Sequence, residues 1–443
     1  MKNSTIFKML LAAAAALFLF TIIFQRTTNQ SEYDNQSVSL VVEPFPQTQD
    51  LSHDTDTAPS QNIPTQEDSE TADRTYEFND GFDLADGLFS ADLCLEQIKD
   101  FQEKVENEAK QQQESDQNNS AAETDTDDYA ASRFPAKAVI IDTDFASDAD
   151  DVVAIRLAMC LQDAGLLDIK GIALSTTYSR SPRALHALCY QDGYGSIPVA
   201  MDTSGNGVQV HTEYVEVMYD MPQSRSDYEQ TVAMYRRILS ESDAKVNLIT
   251  LGFLQNIQAL MNSKPDQYSP LTGMELISQK VHTLYITGGS QTGKPSFNFY
   301  WSGDKVMNAA RDVADHFPAK IVFLESSLSD DTFCGQFYQT KDPNRNDIVT
   351  KALFANDQYG GVVAWDVFSV WCAAQDINGS LDSAFLELEQ GTQYISHTGS
   401  TQWTSESNGR HYKMNKHMQG SYYSQIMNDI LLDKYSRKEN GNL

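Results

Sequence analysis

The stretch AVIIDTDFASDADDVVAIRLAM, residues 138–159, places a cluster of acidic side chains between two apolar runs. The first run predicts a buried strand, and the second predicts an amphipathic helix. Between them lie five aspartates in ten residues, namely Asp142, Asp144, Asp148, Asp150 and Asp151. Like charges at this spacing raise one another's pKa and cost stability unless a positive group lies among them. No Lys or Arg occurs between Lys137 and Arg156, so the compensating charge is expected from outside this stretch.

Three interpretations of the aspartate cluster compete. In the first, the later aspartates cap the helix and complement its dipole, which leaves Asp142 and Asp144 unexplained. In the second, Asp142 is the nucleophile of a phosphotransfer enzyme, but the pattern D-x-D-x-[TV] requires Thr or Val where Ala146 stands. The third is a site for a hard cation such as Ca²⁺, which takes about six to eight oxygen ligands. An EF-hand loop is excluded, because Ser147 and Val153 stand where it has Gly and Glu. We favour the cation site.

The chain after residue 134 alternates short β-like runs with helical runs. KVNLITLG, VHTLYITGGS and AKIVFLES read as strands, and amphipathic segments separate them. This alternation predicts an α/β fold that is Rossmann-like, with a mostly parallel central sheet covered by helices on both faces. Sites in such sheets form at the carboxyl ends of strands, where the aspartate cluster lies.

Composition divides the chain into three parts. Residues 1–26 are apolar behind Lys2 and Lys8, and they predict a signal anchor or a signal peptide. Residues 27–133 are polar and acidic, which predicts a disordered linker with a helix near 90–113. Residues 134–443 form the predicted globular domain. The protein is therefore expected to be exported, either anchored in the membrane with its domain outside or secreted.

The net charge of −30 argues against nucleic acid as a partner, because an acidic surface repels phosphate backbones. The five cysteines are an odd number for an exported protein, so one disulfide is allowed without a definite pairing. Cys160 and Cys372 lie in apolar helical runs and are expected to be buried thiols. A homo-oligomer is compatible with the sequence.

Four motifs in order resemble the inosine-uridine preferring nucleoside hydrolases. DTDFASDADDVVAI is similar to the family motif D-x-D-x-G-x-D-D-A, in the branch with two extra residues before the DD pair. ITLGFLQNIQALM is similar to T-G-P-L-T-N-[IL]-A, and LYITGGS with SFNFYWSGDKVMNAA is similar to the MGG and EFN segments. AWDVFSVWCAAQ resembles the HD-x-x-A-V-A-Y segment. The motifs span residues 136–375.

The resemblance implies that the cation is Ca²⁺. It implies four metal ligands, namely the carboxylates of Asp144, Asp151 and Asp366 and the backbone carbonyl of Leu251. Asp144 would also be the general base that accepts a proton from the attacking water, and Asp142 would orient either Asp144 or that water. Asp150 would bind a ribose hydroxyl, and Asn298 would hydrogen-bond the sugar.

Three departures from the family pattern affect the substrate end of the site. Ser296 stands where the family has a Glu that contacts the 5′ end of the ribose, so the pocket is expected to be roomier there. Trp365 replaces a His that can protonate the leaving base, and an indole can stack on a base but cannot give it a proton. Ser175 or Thr176 is expected to face the ribose in place of a family Asn.

The leading hypothesis is therefore a Ca²⁺-dependent enzyme that hydrolyses the N-glycosidic bond of a ribonucleoside or related riboside, releasing base and ribose. The alternative is a surface-tethered protein that binds a nucleoside or riboside through the same fold with lost or weak catalysis. Trp365 and Ser296 motivate this alternative.

Overall fold

The structure is a computed structural model of the chain, and it describes residues 137–203, 207–225, 227–290 and 293–439. The predicted anchor at 1–26, the linker at 27–133 and the helix near 90–113 lie outside the described residues. Among the helices within these ranges, none combines the length and apolar character that crossing a membrane requires.

The described part of the chain is built on a nine-stranded, mostly parallel sheet in the order β10-β9-β11-β6-β5-β4-β1-β2-β3. Strands β1 to β6 pair in parallel and β11 pairs parallel with β6, whereas β9 pairs antiparallel with both β10 and β11. The predicted parallel α/β sheet is confirmed, and the antiparallel extension was not predicted. The strands are β1 Ala138–Thr143, β2 Asp168–Leu174, β3 Val199–Met201, β4 Val246–Thr250, β5 Val281–Thr287, β6 Lys320–Leu324, β9 Leu386–Ile395, β10 Thr401–Ser405 and β11 His411–Lys416, with a separate pair β7 Phe333–Cys334 and β8 Val362–Val363.

Helices cover both faces of the sheet, and strand β1 shows why. Its side chains alternate, so that Val139 and Ile141 belong to one apolar core and Ile140 belongs to the other. A strand buried on both faces reads as a continuous apolar run. The helices are α1 Asp150–Asp163, α2 Ser181–Gln191, α3 Glu213–Tyr219, α4 Thr231–Glu241, α5 Gln255–Met261, α6 Gly273–Lys280, α7 Phe297–Tyr300, α8 Asp304–His316, α9 Phe337–Lys341, α10 Ile348–Ala355, α11 Trp365–Ile377 and α12 Gly420–Glu439.

The larger apolar core lies on one face of the sheet, under α1, α2, α10, α11 and α12. The smaller core lies on the opposite face, under α4, α5, α6 and α8. Helix α1 is buried from Asp150 to Leu161, so it has no solvent-facing stripe until its last turn. It packs directly against α11. That contact brings the start of α11 next to the aspartate cluster, although the two segments are far apart in sequence.

The four cysteines that the structure describes are all buried and free, namely Cys160, Cys189, Cys334 and Cys372. The expectation of buried thiols for Cys160 and Cys372 is therefore confirmed. Burial raises the pKa of the Cys160 thiol to about 12, so it stays protonated at neutral pH.

Candidate functional site

Three buried aspartates converge at the carboxyl edge of the sheet. Asp144 follows β1, Asp151 lies in the first turn of α1, and Asp366 lies in the first turn of α11. One carboxylate oxygen from each lies within 4.8 Å of the others. All three side chains are nearly inaccessible, with exposures of 3%, 0% and 5%. The structure thus brings together the three carboxylates predicted to bind the cation.

The cluster is electrostatically unfavourable by itself. Burial and the charge of Asp148 raise the pKa of Asp144 to about 7. Burial first, and neighbouring carboxylates second, raise the pKa values of Asp151 and Asp366 well above the ordinary range. A hard divalent cation that accepts carboxylate oxygens would offset both the cost of burying the carboxylates and their mutual repulsion. The donor set, with oxygen atoms only and several negative charges, fits such a cation.

The basic residues that flank the cluster in sequence are engaged elsewhere. Arg156 is fully buried and forms ion pairs with Asp192 and with Asp347, the latter at 3.2 Å from Nη2 to Oδ2. Lys137 donates from Nζ to the carbonyl oxygen of Gly165 at 2.7 Å. Neither cation therefore compensates the aspartates, as the sequence had indicated.

The turn after β4 approaches Asp144 so closely that only glycine fits beside it. A Cβ atom on Gly252 would lie 2.4 Å from the Cβ of Asp144 and 2.7 Å from its backbone nitrogen. The preceding residue, Leu251, donates its N–H to the carbonyl of Asp142 at 2.7 Å. The peptide of Leu251, whose carbonyl is the fourth predicted ligand, is thus fixed next to Asp144.

Asn298 makes contacts that the sequence did not predict. Its Nδ2 donates to the carbonyl oxygen of Leu251 at 2.7 Å and to that of Thr287 at 2.9 Å. The amide ties the β4 turn to the end of β5. A carbonyl oxygen has two lone pairs, so the bond from Asn298 does not exclude a further partner for Leu251. The predicted contact of Asn298 with a sugar stays a prediction.

Asp142 lies on β1 and is held by two residues that the sequence analysis did not single out. Tyr235 donates its hydroxyl to Oδ2 of Asp142 at 2.7 Å, and Asn256 donates its Nδ2 to the same oxygen at 3.0 Å. Burial raises the pKa of Asp142 to about 7, although both hydrogen bonds act against this. Asn256 also donates to the carbonyl of Leu174 at 2.9 Å. Asn256 could have been identified from the sequence, because it is the Asn of the T-G-P-L-T-N-like motif.

Asp150 and Thr143 connect the strand and the two helices at the cluster. Oδ2 of Asp150 accepts a hydrogen bond from the backbone N–H of Asp366 at 3.1 Å, so α1 caps the start of α11. The hydroxyl of Thr143, at the end of β1, donates to Asp151. Asp150 therefore has a structural partner within the cluster, and its predicted contact with a ribose hydroxyl stays a prediction.

Two of the residues that depart from the family pattern are close in sequence to residues of the site, because Ser296 is two residues before Asn298 and Trp365 directly precedes Asp366. Ser296 precedes α7 and is buried, and within the described ranges its hydroxyl has no hydrogen-bond partner. Trp365 opens α11 and is half-buried, with its indole N–H donated to Oδ1 of Asp330 at 2.9 Å. The indole is thus fixed in orientation by a residue from a distant loop.

Ser175 and Thr176 support the backbone around β1. The hydroxyl of Ser175 donates to the carbonyl of Thr143 at 3.2 Å, and that of Thr176 donates to the carbonyl of Phe145 at 2.8 Å. Both side chains are fully buried. The predicted contact of Ser175 or Thr176 with a ribose stays a prediction.

A scan against protein-family models gave no match, and a search of curated proteins gave none either. Solved structures do match. The chain is similar to a plant nucleoside hydrolase, the PpNRh1 enzyme, at 14% identity and a TM-score of 0.52, covering 67% of this chain and 99% of that one. It is also similar to the purine-preferring ribonucleoside hydrolase of Gardnerella vaginalis, at 14% identity and a TM-score of 0.51, covering 67% and 98%.

A third similar structure is an inosine-guanosine nucleoside hydrolase, at 17% identity and a TM-score of 0.50, covering 67% of this chain and 97% of that one. At these identities the likeness shows a shared fold. It extends over nearly the whole of each solved chain, so the described part of this protein shares the complete fold of these three structures.

Proposed function

We propose that this protein is a Ca²⁺-dependent hydrolase that cleaves the N-glycosidic bond of a ribonucleoside or related riboside. The observation that carries the proposal is the convergence of Asp144, Asp151 and Asp366 in a buried cluster at the carboxyl edge of a nucleoside hydrolase-like sheet. The fold alone would not assign an activity, because one fold supports many chemistries.

Asp144, Asp151, Asp366 and the carbonyl of Leu251 would hold the cation. The close approach at Gly252 supports this set, because it places the Leu251 peptide beside Asp144. When bound, Ca²⁺ would supply Lewis acidity toward water and an anchor for the ribose hydroxyls.

Asp144 would be the general base. A general base must lie within hydrogen-bond reach of the attacking water, and a carboxylate that also holds the cation would lie beside that water. Asp142 would act by positioning Asp144, because the hydrogen bonds from Tyr235 and Asn256 fix the Asp142 side chain on β1, two residues before Asp144. The base would thus be held in place by a rigid strand.

Asp150, Asn298 and Ser296 would face the sugar. The buried hydroxyl of Ser296 has no partner among the described residues, so a polar group of a ligand would satisfy it. Because Ser is shorter than Glu and uncharged, the pocket would accept ribosides with a larger group at the 5′ end.

Trp365 would stack on the leaving base without protonating it. Its N–H is already donated to Asp330, and an indole has no proton to transfer at neutral pH. The enzyme would therefore favour leaving groups that need little protonation. This same feature supports the alternative, a riboside-binding protein with weak or lost turnover.

The test is a measurement of base release by the full chain from inosine, uridine and p-nitrophenyl riboside, with Ca²⁺ and with EGTA. We expect release with Ca²⁺ only, and faster release from p-nitrophenyl riboside than from inosine. Ca²⁺-dependent binding of a riboside without release would establish the alternative. Release that is unaffected by EGTA would contradict the cation site.

A further inference from the structure

The loop between β1 and α1 contains a strained residue inside the protein. Ala146 has a φ of 104°, a left-handed conformation that residues other than glycine rarely adopt. Within the described ranges, the other non-glycine residues with positive φ are Ser302, Arg345 and Asp357, and all three are exposed. Ala146 is fully buried, so its conformation is imposed by its surroundings.

Tyr214 supplies the contact that holds this conformation. The backbone N–H of Ala146 donates to the hydroxyl oxygen of Tyr214 at 2.5 Å. Tyr214 lies on α3 and is fully buried. Its ring also meets the ring of Phe145 edge to face, with centroids 5.2 Å apart. Two adjacent residues of the loop are therefore fixed by a single side chain from a distant helix.

The turn at Ala146 lies between two of the carboxylates that would bind the cation. The next residue, Ser147, donates its N–H to the carbonyl of Asp144 at 3.0 Å, which closes the turn. The hydroxyl of Ser147 points toward Oδ2 of Asp151 at 3.5 Å. The left-handed residue thus reverses the chain so that Asp144 and the first turn of α1 face the same point.

We propose that Tyr214 is a positioning residue for the cation site. Its hydroxyl stabilises the left-handed conformation of Ala146, and this conformation sets the separation of Asp144 and Asp151. The inference rests on the cation site of the proposed function, but it concerns a residue outside the predicted set of cation ligands and riboside-binding residues. It predicts that cation affinity depends on a hydroxyl group on α3.

The test is Ca²⁺ binding by calorimetry to the full chain, which does not require turnover. Tyr214→Phe keeps the ring and its contact with Phe145 and removes only the hydroxyl. We expect the Kd for Ca²⁺ to rise roughly two- to tenfold, the change that the loss of one buried hydrogen bond produces.

Tyr423→Phe is the matched control. Tyr423 is also fully buried, and its hydroxyl donates to the carbonyl of Phe385 at 2.6 Å and accepts from the N–H of Met418 at 3.2 Å, outside the loop. This variant should lower Tm while its Kd for Ca²⁺ stays within about twofold of wild type. Equal Kd values for wild type and Tyr214→Phe, or an equal rise for both variants, would overturn the inference.

Ala146→Gly separates the proposed mechanism from a general loosening of the protein. Glycine adopts positive φ without strain, so the hydroxyl has less to stabilise in that background. Tyr214→Phe should then raise the Kd by a smaller factor than it does with Ala146 present, which a double-mutant cycle measures. Equal factors in both backgrounds would refute the coupling. If wild type itself bound no Ca²⁺, the proposed function would fail instead.

Discussion

Gly252 shows how one residue without a side chain defines the geometry of the candidate site. It lies directly after Leu251, and the space that a Cβ would need is occupied by the backbone and Cβ of Asp144. The backbone nitrogen and the Cβ of Asp144 cannot rotate away from a Cβ at residue 252. The distance between the β4 turn and the β1 loop therefore depends on this glycine.

Gly252→Ala should destabilise the protein by about 1–3 kcal/mol, because overpacking a rigid contact shifts the backbone. It should also weaken Ca²⁺ binding by moving Asp144 away from Leu251. Urea unfolding and calorimetry measure the two effects. Gly360→Ala is the control, since a Cβ there meets nothing within 4 Å, and it should change the free energy of unfolding by less than about 0.5 kcal/mol. Equal behaviour of the two variants would disprove the close approach.

At the scale of elements, the packing of α1 against α11 creates the cluster. The N–H of Asp366 donates to Asp150, so the two helix starts are joined by a hydrogen bond as well as by apolar contacts. Asp151 and Asp366 lie in the first turns of their helices, where the helix dipole offsets part of the repulsion between their carboxylates. Both helices are thus needed to hold the three carboxylates in one cluster.

The sequence predicted some elements well and missed others for a physical reason. Strands β1 to β6 lie under helices on both faces, so they read as apolar runs between helical segments. Strands β9 to β11 are only partly buried, as LELEQGTQYI and HYKMNK show, and their polar residues weaken the strand pattern. Their position beside β6 depends on long-range pairing that no local pattern encodes.

The candidate site was predictable to a similar degree. Asp144, Asp151 and Asp366 could be named from motifs, and the structure brings them together. Tyr235 and Tyr214 could not be named, because each acts through a single hydroxyl from a distant helix. A buried Tyr on an amphipathic helix looks like an ordinary core residue in sequence. Only the tertiary contact shows what its hydroxyl does.

At the scale of the whole molecule, the cluster makes stability depend on pH and Ca²⁺ together. Asp142 and Asp144 have pKa values near 7 in the folded protein, against an ordinary value of 3.8. Between those values the folded state binds more protons than the unfolded state, so the free energy of unfolding falls as pH rises. The pKa of His411 is lowered to about 4, which acts in the opposite direction below about pH 6.5.

Above about pH 6.5 the opposing effect of His411 is absent, so the change of stability with pH reports on the aspartates. We expect the Tm of the protein in EGTA to fall from pH 6.5 to pH 8, and the increase in Tm on adding Ca²⁺ to be larger at pH 8, because fewer protons compete with the cation. Thermal melts at the two pH values, with and without Ca²⁺, measure both effects. A Ca²⁺-dependent increase that shrinks toward pH 8 would contradict the assignment of these carboxylates.

The most direct test of the central claim is the initial rate of base release as a function of Ca²⁺ for wild type, Asp144→Asn and Asp366→Asn. Asn at residue 144 keeps an oxygen near the cation but cannot accept the proton of water. Its kcat should fall by about 10²–10⁴-fold at any Ca²⁺ concentration, with KM for the riboside within a few-fold. Asp366→Asn should mainly weaken Ca²⁺ affinity, and added Ca²⁺ should restore much of its rate. Equal rescue of both variants by Ca²⁺ would contradict the role of Asp144 as the base.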